Sequence, residues 1–168
     1  MIKSERLFLR PWTTEDISNY KTLQTDVGYN CFSIPGTFLC KNDDEIRERI
    51  QKRINLFTSQ SLSKFLIFEK STQSLIGTCG VDPFELDGKT EPELGYRILL
   101  PAWGKGYATE AARAYLDHYF QELKQKYVYG LVLPQNKGSI DVLKKLSFQY
   151  QRAFIFAGLP HQLYHLEK

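Results

Sequence analysis

The stretch GYRILLPAWGKGYATEAARAYL, Gly95 to Leu116, decides the fold. An apolar run reaches Pro101, two glycines flank Lys105, and an alanine-rich pattern follows without a helix breaker. Positions 107–126 set Ala108, Ala111, Ala112, Tyr115, Leu116, Tyr119, Phe120 and Leu123 on one face of a helix. A strand, a tight loop and a helix N-terminus form an anion site when the loop aims its N–H groups inward. The first four helix amides have no internal partner, and the dipole places about half a positive charge there. Gly104 and Gly106 have no Cβ to keep an anion from the backbone, and Lys105 adds a cation. The competing reading is a plain turn with Thr109 as helix cap.

Upstream, KFLIFEK (64–70) and SLIGTCGVD (74–82) read as a hairpin, and an Asp-Gly turn at 87–88 leads into EPELGYRILL (91–100) as a third strand. Downstream come a strand YVYGLVL, a short helix NKGSIDVLKKL, and closing strands FQYQRAFIF and HQLYHLE. At the start, RLFLRPW reads as a strand ended by Pro11. A helix follows with Thr13 or Thr14 as N-cap and Glu15 and Asp16 in its first turn. Residues 28–41 read as irregular. A second helix begins near Asn42 with Ile46, Ile50, Ile54 and Phe57 on one face, and Arg47, Arg49, Lys52 and Arg53 as a solvated face. This order predicts one domain over 1–168, of mixed α/β class (α+β), with a single sheet covered by helices on both faces.

A net charge of +3 with no arginine-rich block argues against a nucleic-acid partner, and no run approaches a bilayer span, so a membrane is not expected. Three cysteines (Cys31, Cys40, Cys79) without a CxxC give neither a disulfide framework nor a structural zinc site, and no histidine pair has ligand spacing, so no metal is expected. MIKSERLFLRPW lacks the apolar core of a secretory signal, and a cytoplasmic location is the expectation.

Two familiar anion loops fail. There is no GxxxxGK[ST] spacing, and a dinucleotide fingerprint would need glycine at Thr109 and an acid where KQKYV stands. WGKGYATEA instead resembles the pyrophosphate loop of the GNAT N-acetyltransferases, Q/R-x-x-G-x-G/A, with Trp103, Gly106 and Ala108 in the defining slots. Tryptophan in the first slot is similar to the RimJ/RimL (ribosomal-protein alanine N-acetyltransferase) branch. So are ERLFLRPWTTED, LIGTCGVD, ELGYRI and NKGSIDVLKKLSF, in the same order along the chain.

The resemblance implies a mostly antiparallel twisted sheet with a splayed parallel strand pair. It also implies acetyl-CoA as co-substrate and a primary amine as acceptor, a protein N-terminus first and a polyamine or aminoglycoside second. The diphosphate would lie on residues Trp103, Gly104, Lys105, Gly106, Tyr107, Ala108 and Thr109, and the pantetheine arm beside Ile98. Glu93 holds the family's acidic position as base, with Glu91 on the same strand face as its substitute. Asn136 and Ser139 match the branch's N-x-x-S; they cap a helix, and Ser139 is also the candidate for serving the CoA sulfur, because Leu143 stands where many relatives have tyrosine. Tyr29, Phe32 and Phe38 line an acceptor groove or pack under the sheet. Two departures stand out: Ser147 replaces a usual glycine, and Pro101 comes one place late. A monomer and a homodimer both fit, and a non-catalytic acyl-CoA-binding module is the rival from another class.

Overall fold

In a computed structural model that describes residues 1–33 and 39–168, eight strands form one sheet in the order β1-β2-β3-β4-β5-β6-β8-β7. The strands are β1 (Ile2–Lys3), β2 (Leu7–Arg10), β3 (Lys64–Glu69), β4 (Leu75–Leu86), β5 (Lys89–Ile98), β6 (Tyr127–Val132), β7 (Gln149–Phe156) and β8 (Leu159–Glu167). Every neighbouring pair is antiparallel except β5 and β6. That parallel pair meets at a single register point, Glu93 opposite Tyr129, and the two strands then part. The short β1 was not anticipated; two residues are too few to show a period.

Helix α4 (Tyr107–Gln121) covers one face of the sheet, burying Ala111, Ala112, Tyr115, Leu116 and Tyr119 against Cys79, Val81, Leu94 and Ile98. Its alanines let the helix sit close, and its tyrosines reach across: Tyr115 donates to the Ser63 carbonyl and Tyr119 to that of Tyr127. Helix α5 (Lys137–Lys145) joins the same layer through Leu143. Helices α1 (Ile17–Thr25), α2 (Val27–Asn30) and α3 (Asp43–Gln60) cover the other face, with Tyr20, Leu23, Tyr29, Ile46 and Ile50 packed on Leu66 and Phe68. Cys79 is fully buried, and burial raises its thiol pKa far above the ordinary value, as its apolar run implied.

The first helix starts later than its sequence suggested, at Ile17 instead of after Thr13 or Thr14. Asp16 is the reason. Its buried carboxylate takes two hydrogen bonds from Arg10 (2.8 and 2.6 Å), two from Thr13 and one from Asn19, which ties residues 13–16 into a loop. The span read as irregular begins inside a single helical turn, Val27–Asn30, whose N-cap Asp26 accepts from the Tyr29 amide. Asn42 caps α3 as expected, accepting from Glu45 N–H at 3.0 Å. Asp87 and Gly88 both take positive φ (51° and 78°), the conformation a two-residue hairpin demands. The turn therefore fixes the β4–β5 register and sets Asp82 opposite Glu93. Ser147, standing in for a glycine, adopts φ 68° and keeps the turn that ends α5.

Candidate active site

A cavity of about 860 Å³ runs from the loop at the head of α4, through the gap between β5 and β6, to the far face of the sheet. At the loop end, Leu100–Ala102 form a 3₁₀ turn opened by Pro101. The Trp103 indole N–H then donates to the Ile98 carbonyl at 2.7 Å, which pins the loop to the end of β5. Gly104 and Gly106 follow with φ of 75° and 79°. A Cβ at Gly104 would meet nothing within 4 Å, so backbone conformation, and not crowding, calls for glycine there. The amides of residues 104–109 donate to no carbonyl among the described residues. This is a cradle of unspent N–H groups at a helix N-terminus, and it fits a diphosphate.

Arg6 braces the cradle from outside. Its guanidinium donates to the Glu110 carboxylate at 2.7 Å and the Lys105 carbonyl at 3.0 Å, and it lies over the Tyr107 ring. Glu110 also accepts from Ser4 and from the Arg6 amide, so this carboxylate knots the N-terminal strand to the first turn of α4. Two cradle residues have further contacts of their own. Lys105 is not among the residues lining the cavity, and its carbonyl accepts from Arg6. Tyr107 lines the cavity, and its hydroxyl donates to Glu69. Trp103, Gly104, Gly106, Ala108, Thr109 and Ile98 do line it.

Midway, Asn136 Oδ1 caps α5 by accepting from Ser139 N–H at 3.1 Å, and both residues line the cavity. The Ser139 hydroxyl lies 2.9 Å from the hydroxyl of Tyr96, which also donates to the Ser139 carbonyl. Burial drives the Tyr96 pKa far upward, so the phenol stays protonated at working pH.

At the far end, Glu93 faces a cluster of charge. Lys64 Nζ stands 3.5 Å from Glu93 and 3.2 Å from Asp82, and Arg53 Nη1 lies 2.6 Å from both Asp82 oxygens. Glycine at position 95 leaves room for this placement of the lysine, since a Cβ there would sit 2.4 Å from its Nζ and the side chain would have to shift. Burial works against the Lys64 charge, but Asp82 and Glu93 outweigh it and raise its pKa. Burial likewise works against the Asp82 carboxylate, and Lys64 and Arg53 overturn that and lower its pKa. Glu91 does not line the cavity; its carboxylate accepts from Tyr127 at 2.6 Å. Tyr29, Phe32, Phe84, Phe156 and His161 line the walls at this end, while Phe38 lies outside the described residues.

Sequence reasoning placed Arg53 on a solvated face, and the structure corrects this: its helix position turns it inward onto Asp82. Lys64, Asp82, Tyr96 and Arg97 were missed altogether. A signal existed for Asp82 alone, because counting back from the Asp-Gly turn puts it opposite Glu93.

A sequence profile for the acetyltransferase (GNAT) domain matches residues 6–149. The uncharacterized protein YkkB of Bacillus subtilis is 37% identical over 103 residues, 61% of this chain and 60% of YkkB, so the chain spans less than two thirds of that relative's length. RimL, described as a ribosomal L7/L12 α-N-protein acetyltransferase in complex with coenzyme A, superposes with a TM-score of 0.83 at 18% identity, covering 98% of this chain and 95% of its own. A Vibrio cholerae spermidine N-acetyltransferase SpeG chimera superposes with a TM-score of 0.74 at 18% identity, covering 97% and 96%. At such identities the two structures speak to the fold alone, which is the one the family resemblance implied.

Proposed function

The chain belongs to the acetyltransferase (GNAT) domain family, and on that premise we propose that it moves an acetyl group from acetyl-CoA to a primary amine by direct attack in a ternary complex. A protein N-terminal α-amine is the leading acceptor. The observation that carries the reading is the continuity of the cavity: unspent amides at one end, Glu93 at the other, and the parted strands β5 and β6 between them.

The residues divide the work. Backbone N–H groups of residues 104–109 would hold the diphosphate, and the gap beside Ile98 would take the pantetheine arm. Acyl transfer forms an N–C bond, breaks the C–S bond and leaves a thiolate that must regain a proton. Ser139, whose hydroxyl lies 2.9 Å from that of Tyr96, would relay that proton from water to the sulfur. The attacking amine must be uncharged. An α-amine with pKa ~7.7–8 needs little help to lose its proton, whereas a lysine side chain at ~10.4 needs much more. Glu93 serves as base, directly or through water.

Release of free thiol from acetyl-CoA, screened over peptide N-termini and small amines, tests the reaction. Glu93→Gln is expected to lower turnover more at pH 6.5 than at pH 9, where free amine is plentiful. A loss independent of pH would remove Glu93 as base. Uptake of acetyl-CoA without turnover on any amine would leave only a binding module.

A further inference from the structure

Among the described residues that line the main cavity, Tyr29, Tyr96, Tyr107, Thr109 and Ser139 carry hydroxyls. Tyr29 pairs with Thr78 and Tyr107 with Glu69, while Tyr96 and Ser139 pair with each other. That last contact joins β5 to the first turn of α5, beyond the point where β5 and β6 part. Both of its ends are anchored: the Tyr96 ring packs against the core that α4 covers, and the Ser139 amide is held by the Asn136 cap. Leu143, one helical turn beyond Ser139, is buried and has no hydrogen to give.

A phenol has one hydrogen to donate, and two acceptors stand at the same 2.9 Å from the Tyr96 oxygen, the Ser139 carbonyl and Ser139 Oγ. With the hydrogen on the carbonyl, the phenol oxygen accepts the Ser139 O–H, and the serine has nothing left to offer a ligand. With the hydrogen on Oγ, the Ser139 O–H is released to the cavity. From this geometry we infer that Tyr96 is a positioning residue, which frees and aims the Ser139 hydroxyl at the departing sulfur by moving its own hydrogen bond from the Ser139 carbonyl to Ser139 Oγ. The inference rests on the transferase reading and adds a residue to its second half. The switch is a rotation about the phenol C–O bond, and no proton leaves Tyr96; burial, which raises its pKa, keeps that proton in place. The atoms balance without it. As the C–S bond breaks, Ser139 gives its hydrogen to the thiolate and regains one from water, and the hydroxide takes the proton that Glu93 removed from the amine. The carbonyl that Tyr96 vacates lies in the first turn of α5, where the helix itself offers it an amide donor.

Tyr96→Phe removes the hydroxyl and keeps the ring, and a double-mutant cycle with Ser139→Ala tests whether it acts through the serine. Thiol release from acetyl-CoA is followed with a peptide bearing a free N-terminal alanine or, where the wild-type protein is faster on it, with butylamine. Tyr96→Phe is expected to lower kcat about five-fold, the size of one hydrogen bond, with KM for acetyl-CoA and Kd for coenzyme A unchanged. In the Ser139→Ala background the same substitution is expected to cost nothing more, which a merely structural role would not produce. Equal losses from Tyr96→Phe in both backgrounds, an unchanged kcat, or a fall in coenzyme A affinity that matches the loss in kcat would overturn the inference while the transferase reading stands. Should Tyr96→Phe not fold, a crystal structure of the wild-type protein with coenzyme A decides: Ser139 Oγ within hydrogen-bond distance of both the sulfur and Tyr96 supports the inference, and a serine turned from either overturns it. Failure of the wild-type protein to release thiol with any amine would overturn both readings.

Discussion

Replacing Gly106 by alanine isolates the cradle from the rest of the fold. Gly106 sits at φ 79°, where an L-residue is strained by about 1–2 kcal/mol. Alanine recovers about 0.4–1 kcal/mol by restricting the unfolded chain, so the net loss of stability is about 1 kcal/mol. Gly88 provides the control. Its φ is 78°, a Cβ there would meet nothing within 4 Å, and it lies in the β4–β5 turn outside the cavity. Urea denaturation should therefore give Gly106→Ala and Gly88→Ala similar losses. Ligand binding should separate them. Relief of strain at 106 swings the neighbouring amides out of line, and losing one hydrogen bond to a charged group costs about 1.5–3 kcal/mol, at least ten-fold in Kd. Calorimetry with coenzyme A should show that weakening for Gly106→Ala and none for Gly88→Ala. Pantetheine, which lacks the diphosphate, should be affected by neither. Unchanged affinity of Gly106→Ala for coenzyme A, or an equal loss for pantetheine, would refute the cradle.

Three further outcomes follow from the geometry. Burial opposes the charge on Asp16, yet Arg10, Thr13 and Asn19 overcome it and bring its pKa from 3.8 down to about 2. A depressed carboxylate stabilises the fold above its unfolded pKa and loses that contribution as pH falls through the folded value. The stability gap between the wild-type protein and Asp16→Asn should thus narrow by about 2 kcal/mol between pH 6 and pH 2, read from urea midpoints, and a constant gap would contradict the ion pair. Ser147→Gly should raise stability by about 0.5–1 kcal/mol, because the site already holds φ 68°; an unchanged melting temperature would show that serine bears no strain there. Ser139→Ala keeps the helix cap, which uses its backbone N–H, but removes the hydroxyl beside Tyr96. It should lower kcat several-fold with little change in KM for acetyl-CoA, and an unaltered kcat would leave Ser139 with the cap alone.

What the sequence disclosed and what it concealed divide along a physical line. Local rules act through neighbours in the chain, so the glycine loop, the amphipathic face of α4, the Asn42 and Asn136 caps and the Asp87–Gly88 turn were all legible. Asp16 defeated the rule for acidic first turns because Arg10, on the preceding strand, made a better partner than a helix dipole. Arg53 defeated the solvated-face rule for the same kind of reason, since Asp82 lies 29 positions away in sequence. The charge cluster around Glu93 draws on α3, β3, β4 and β5 together. Only the register of the long hairpin linked two of its members in advance.

Lys64 carries a consequence of its own. The proposed reaction would bring an activated acyl group close to an amine that belongs to the protein. An ammonium ion has no lone pair to offer, so on that proposal the proton that Asp82 and Glu93 favour on that side chain would also keep the protein from modifying itself. The same two carboxylates would thereby separate guest from host: the proposed base would strip the arriving amine of its proton, while the resident one keeps its own.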